Sequence, residues 1–217
     1  MLKALIFDFD GLILDTETPE FLAWQSVFRA HDASLTLEEW AICIGTNDAL
    51  DPYALLETRT GRTHDAEIVR TLKKSHFTPL IDAETLRPGV RFTMETALAL
   101  GLKIGVASSS THDWVESWLR KFELIGHLSS IQCSEDVEKV KPHPALYLHS
   151  LDALGVCANE ALALEDSLNG LRAAKAAGIH TIAIPNPMTR HLPLHEADQV
   201  LDSLENFDLA AVARRFP

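Results

Sequence analysis

Ala4-Leu5-Ile6-Phe7-Asp8-Phe9-Asp10-Gly11 runs four apolar residues straight into two carboxylates and a glycine. A short, continuous apolar run bounded by polar and turn-forming residues reads as a strand buried on both faces, as in a parallel sheet. The same arrangement recurs along the chain. Lys103-Ile104-Gly105-Val106-Ala107 is a second strand ending in Ser108-Ser109-Ser110, and Ile131–Cys133, Ala161–Leu164 and Thr181–Ile184 are three more. Helical spacing fills the intervals: Val90, Met94, Ala97 and Leu98 after Pro88-Gly89, then Val115, Trp118, Leu119 and Phe122, then the Ala-rich stretch from Leu168 to Ala177 closed by Gly178. Alternating strands and helices predict an α/β fold, a parallel sheet with helices on both faces.

One region departs from the alternation. From Thr16 to Thr85 the sequence offers only helical pieces, with Phe21, Trp24 and Phe28 on one face and Ile68, Leu72 and His76 on another. Seventy residues exceed any simple crossover. They predict a helical unit over 16–85 inserted into an α/β core formed by 1–15 and 86–217. The acidic stretch from Asp202 is expected to end in a helix whose Leu209 and Val212 close that core.

The 217 residues carry 19 Lys and Arg against 31 Asp and Glu, a net charge of −12. Such a surface repels phosphate backbones and anionic lipid, which argues against nucleic acid or membrane as partners. An anionic substrate would need a local cation. Cys43, Cys133 and Cys157 form no CxxC pair, so the expectation is free thiols in a reducing cytoplasm. No apolar run approaches the ~18 residues of a membrane helix, and Met1-Leu2-Lys3 leads into a strand rather than a signal peptide. No obligatory protein partner is evident.

In open parallel sheets, ligands bind beyond the carboxyl ends of the strands. Four strand ends here present compatible groups: Asp8 and Asp10; Ser108 and Ser109; Lys141 in Lys139-Val140-Lys141-Pro142; and Glu165-Asp166-Ser167. Singly, each has an ordinary reading as an acidic turn, a strand-ending serine, a surface lysine or a helix cap. Four clustered carboxylates, however, need a divalent cation, and all-oxygen ligation suits Mg²⁺. An EF-hand fails because its third ligand position is Leu12. Serine hydroxyls and free N–H groups ahead of a helix form an anion site.

Asp8-Phe9-Asp10-Gly11-Leu12-Ile13-Leu14-Asp15-Thr16-Glu17, Ala107-Ser108-Ser109, Lys141-Pro142 and Glu165-Asp166-Ser167-Leu168-Asn169-Gly170 together resemble the ordered motifs of the haloacid dehalogenase superfamily. The likeness is to its branch of β-phosphoglucomutase and phosphoglycolate phosphatase. It implies a Rossmann-like core, a helical cap over 16–85, and Mg²⁺-dependent phosphoryl transfer through an aspartyl-phosphate. Asp8 would be the nucleophile and Asp10 the general acid and base. Asp8, the backbone carbonyl of Asp10 and Asp166, helped by Glu165, would hold the metal, while Lys141, Ser108 and the Ser109 N–H bind phosphoryl oxygens.

The expected activity is hydrolysis of a small phosphorylated metabolite. A sugar phosphomutase is the alternative, and an idle binding protein of the same fold a further one. Thr16, Glu20 and Asp48 are candidate specificity positions. At the last two, β-phosphoglucomutases carry a histidine and an arginine, so anions here would repel a second phosphate, unless Lys73 or Lys74 compensates. Trp24, Trp40, Trp114 and Trp118 read as packing residues. His191 and His195, separated by Pro193, do not read as a metal pair.

Overall fold

A computed structural model describes residues 1–40 and 51–216. After β1 (Ala4–Phe7) come four helices, α1 (Glu17–Ala30), α2 (Leu37–Trp40), α3 (Pro52–Thr60) and α4 (Ala66–Ala83). The chain continues through α5 (Val90–Ala99), β2 (Lys103–Ala107), α6 (His112–Lys121), β3 (Ser130–Gln132), α7 (Ala145–Leu154), β4 (Ala161–Glu165) and α8 (Leu168–Ala176). It closes with β5 (His180–Ala183), β6 (Gln199–Val200) and α9 (Leu209–Arg215). The strands form one parallel sheet in the order β3-β2-β1-β4-β5-β6.

β1 is buried throughout because both faces of the sheet are covered. Its side chains alternate. Leu5 and Phe7 join Ile104, Val106, Leu162 and Leu164 beneath α5, α6 and α9, whereas Ala4 and Ile6 join Ala161, Ala163 and the inner faces of α7 and α8. Small residues on the second face let α7 sit close: a Cβ on Gly105 would lie 3.1 Å from Leu154.

The five expected strands are present to within a residue or so. β6 escaped notice because its two residues are exposed and carry no apolar run. α5 buries Val90, Thr93, Met94 and Ala97, leaving Leu98 43% exposed. The expected stripe was therefore one position too wide, since spacing by three and four already fills the contact. Leu209 is buried and Val212 packs on the same core, as expected of the last helix.

Helices α1–α4 enclose their own apolar cluster, in which Phe21, Trp24 and Phe28 of α1 are buried. On α4, Val69 is buried in that cluster and Leu72 packs against it as expected, but Ile68 is 64% exposed, so the expected face is wrong at its first residue. The far end of α4 leaves that cluster: Phe77 and Ile81 pack on the sheet-facing core. Entry and exit segments lie side by side, with Leu14 bridged to Leu86. Among the described residues no helix is long and apolar enough to cross a membrane. Cys133 and Cys157 are free thiols, and Cys43 lies outside the described residues.

Candidate active site

Strand register sets the site. Phe7 pairs with both Val106 and Leu164, so Asp8, Ala107 and Glu165 emerge level at the carboxyl edge of the sheet. Asp8 is buried, and Lys141, from the segment before α7, reaches under it with only 2% exposure. The Lys141 ammonium contacts Asp8 Oδ1 and lies 2.6 Å from Glu165 Oε1. The Tyr147 hydroxyl on α7 also donates to Glu165 Oε1, at 2.5 Å. Its other oxygen accepts the Asp166 N–H at 3.2 Å and the Ser167 hydroxyl at 3.3 Å. Four donors thus pin Glu165.

Gly170 makes room for that carboxylate. A Cβ there would fall 2.0 Å from the carboxyl carbon and both oxygens of Glu165. Gly170→Ala is therefore expected to displace Glu165 and loosen Lys141, at about 1–3 kcal/mol. A denaturant titration checks it: an unchanged midpoint would show that the turn absorbs the methyl group.

Asp166 is 1% exposed and accepts from Asn186 Nδ2 at 2.6 Å. Gly11, at φ +80°, passes so close that a Cβ would sit 2.3 Å from Asp166 Oδ2. The Arg87 guanidinium ties this turn down by donating to the Gly11, Ile184 and Pro185 carbonyls. Asp10 faces another way. Its Oδ2 accepts from the Ser110 hydroxyl at 2.7 Å and the Ser108 hydroxyl at 3.2 Å, and its Oδ1 from the Trp114 indole at 2.9 Å. Ser108 in turn accepts the Ser110 N–H at 3.0 Å.

Carboxylate oxygens of Asp8, Glu165 and Asp166 lie within 4.8 Å of one another. Burial pushes the Asp8 carboxyl up to about 8; Lys141 opposes the rise, and the charges of Glu165 and Asp10 add to it. Burial, then Asp8 and Glu165, hold Asp166 well above the usual range. Burial works against the Lys141 charge, but Asp8 and Glu165 outweigh it and raise the amine. When ionised, the three buried carboxylates outnumber the one ammonium between them and carry an excess of negative charge. An all-oxygen donor set with that excess fits a hard divalent cation.

The site opens into a cleft of about 620 Å³ between the sheet edge and helices α1–α4. Asp8, Asp10, Ser109, Ser110, Trp114 and Lys141 line its floor. Its roof includes Thr16, Glu17, Glu20, Trp24, Trp40 and Lys73. Glu17 is held well above the usual carboxyl range, by burial first and then by Asp10 and Glu20. Glu20 is paired with Lys73 at 2.5 Å and accepts from the Trp24 indole at 3.2 Å. Of the two lysines named as able to offset the anion at position 20, Lys73 is the one that does. Lys74 is exposed and does not line the cleft, and Asp48 lies outside the described residues.

The strand-end residues Asp8, Asp10, Ser108, Ser109, Lys141, Glu165 and Asp166 all meet here, but the Asp10 carboxylate stands apart from the acidic trio. Tyr147, Asn186 and Arg87 went unread because nothing in their neighbours marks them, and Lys73 was named only as one of two lysines that could offset Glu20. Three of the four tryptophans read as packing also wall the cleft. His191 lies in a turn, His195 follows Pro193, and both are exposed.

Residues 5–184 match the sequence family described as haloacid dehalogenase-like hydrolase. YhcW of Bacillus subtilis (strain 168) is 43% identical over 210 residues, covering 97% of this chain and 96% of that protein. Hexitol phosphatase B of Escherichia coli (strain K12) is 30% identical over 209 residues, 93% of this chain and 92% of that one. The crystal structure of CbbY from Rhodobacter sphaeroides in complex with phosphate has a TM-score of 0.78 at 31% identity, over 97% of this chain and 98% of that one. The family match runs from β1 through the end of β5 and takes in Asp8, Asp10, Lys141, Glu165 and Asp166, so the chain belongs to the haloacid dehalogenase-like hydrolases.

Proposed function

We propose that the protein is a Mg²⁺-dependent phosphatase that hydrolyses a small phosphorylated metabolite, of the carbohydrate or polyol monophosphate kind. The observation that carries this reading is a buried carboxylate, Asp8, facing an open cleft beside a buried ammonium, with a second aspartate within the same cleft. In this reading Asp8 attacks phosphorus and the bond to the leaving oxygen breaks, giving an aspartyl-phosphate. Asp10 protonates the departing oxygen, then takes a proton from the water that attacks the intermediate. Ser108, the Ser109 N–H and Lys141 hold the phosphoryl oxygens. Asp8, Asp166 and the Asp10 carbonyl would hold Mg²⁺, with Glu165 steadying Lys141 behind them, and the ion would offset repulsion between carboxylate and phosphate.

Monophosphates are favoured by the cleft's own charges. Among the described residues, its cations are Lys73 and Lys141, and both are already paired with carboxylates. Neither is left over for a second phosphate, which supports hydrolysis over mutase chemistry. The name of the hexitol phosphatase relative and the phosphate held by the CbbY structure support a phosphate ester as the substrate. Aromatic walls beside Glu17, Glu20 and Thr16 suit a polyhydroxylated body. In this scheme residues 16–85 act as the cap over a core of 1–15 and 86–217, hinging near Leu14–Thr16 and Leu86–Gly89 to exclude water and readmit it.

One assay series tests the reading. Purified protein with a chromogenic phosphate ester and Mg²⁺ should release phosphate, and a chelator should abolish release until Mg²⁺ is restored. With glucose 1-phosphate and a bisphosphate primer, inorganic phosphate should form in place of glucose 6-phosphate. Full activity under chelation, or rapid isomerisation without phosphate release, would overturn it.

A further inference from the structure

Trp114 occupies the third position of α6 and lines the cleft floor. A half-buried indole usually gives its N–H to water, yet this one gives it to the Asp10 carboxylate at 2.9 Å, a charge-assisted bond. The ring is also held on two sides. Trp118 meets it edge-on at 5.6 Å between centroids, and Phe77 of α4 lies against it at 6.2 Å with a tilt of 34°. Phe77 in turn carries the Lys73 ammonium 4.4 Å from its ring centre, and Lys73 is the partner of Glu20 on α1. An unbroken series of contacts therefore joins the inserted helices to Asp10.

We propose that Trp114 is a positioning residue that fixes the orientation of the Asp10 carboxylate and couples it, through Phe77, to the position of α4. Ser110 and Ser108 hold one oxygen of Asp10 and Trp114 alone holds the other, so release of the indole bond is what frees the carboxylate to turn. Trp118 backs the indole, which leaves displacement of Phe77 as the route by which the ring tilts. The orientation of Asp10 then follows the seating of α4 over the cleft. This inference rests on Asp10 being the proton donor and acceptor proposed above, and coupling of this kind is measured by a double-mutant cycle.

Indole ¹H–¹⁵N spectra of the full-length protein give a readout that needs no turnover. The signal missing from Trp114→Phe identifies Trp114. It should move upfield and exchange faster with solvent in Asp10→Ala, and should also move in Phe77→Ala. In the ester assay with Mg²⁺, Trp114→Phe keeps the wall but loses the donor, so kcat should fall roughly 10- to 100-fold with KM held within about twofold. Once Phe77 is alanine, the same substitution should cost less. An indole signal indifferent to Asp10→Ala, an unchanged kcat in Trp114→Phe, or strictly additive losses would overturn the proposal. A protein that releases no phosphate would instead overturn the hydrolase reading, with the spectra still deciding the coupling. If Trp114→Phe does not fold, sequential resonance assignment of the native protein identifies the Trp114 indole, and the Asp10→Ala and Phe77→Ala spectra decide it.

Discussion

Asp8→Asn should lower phosphate release by about 10³-fold or more while leaving the fold intact. The amide keeps the shape of the carboxylate and loses the charge that attacks phosphorus. Stability should hold or rise, because the substitution removes one of three mutually repelling buried carboxylates and Lys141 keeps Glu165. Turnover and a thermal melt, measured on the same preparation, separate the two effects. Trapping of labelled phosphate on the wild-type protein, absent from the variant, would add direct evidence for the covalent step. Full-rate release by the variant would end the nucleophile assignment.

Lys141→Met should damage stability and activity together. The ammonium is 2% exposed and lies between Asp8 and Glu165, with the Tyr147 ring 5.2 Å away. Methionine fills the space but leaves two buried carboxylates facing each other with no intervening cation. Breaking a buried pair in this way costs roughly 3–5 kcal/mol, and in a chain of this size that lowers Tm by about 6–20 °C. Loss of a phosphoryl-oxygen ligand adds a fall in kcat of about 10²-fold or more. A melt in chelator and one in saturating Mg²⁺ test the physical cause, since added cation should recover part of the stability. An unchanged Tm in chelator would mean that Lys141 is not what offsets the charge of the two carboxylates.

Family membership and the location of the site follow from local patterns. The apolar run Ala4–Phe7 ends at Asp8 because burial between two helical layers requires uninterrupted apolar residues and the carboxyl edge, which faces the cleft, does not. The same rule marks the ends of β2 and β4, so Ser108 and Glu165 were legible as site residues before any contact was known. The four motifs also place Gly11 and Gly170 without saying why they are glycine. The reason is steric and lies in other segments: Asp166 crowds Gly11, and Glu165 crowds Gly170.

Partnership is what the tertiary structure alone decided. Asp10 and Asp8 are two residues apart, yet one carboxylate turns to Ser110 and Trp114 while the other joins the acidic trio. That choice depends on donors about a hundred residues away in sequence. The sequence names Lys73 and Lys74 as cations that could offset Glu20, and only the packing of α4 along α1 selects Lys73. Ile68 and Leu98 show the same limit for packing, since periodicity identifies an apolar stripe but the neighbouring element determines which edge of it is covered. Strand ends and turn residues are encoded by neighbours along the chain, and so the sequence by itself determined five of the strands, the run of helices after the first of them and the place of the carboxylates at the strand ends. Hydrogen-bond partners, charge compensation and helix rotation depend on distances between remote segments, which exist only once the chain has folded.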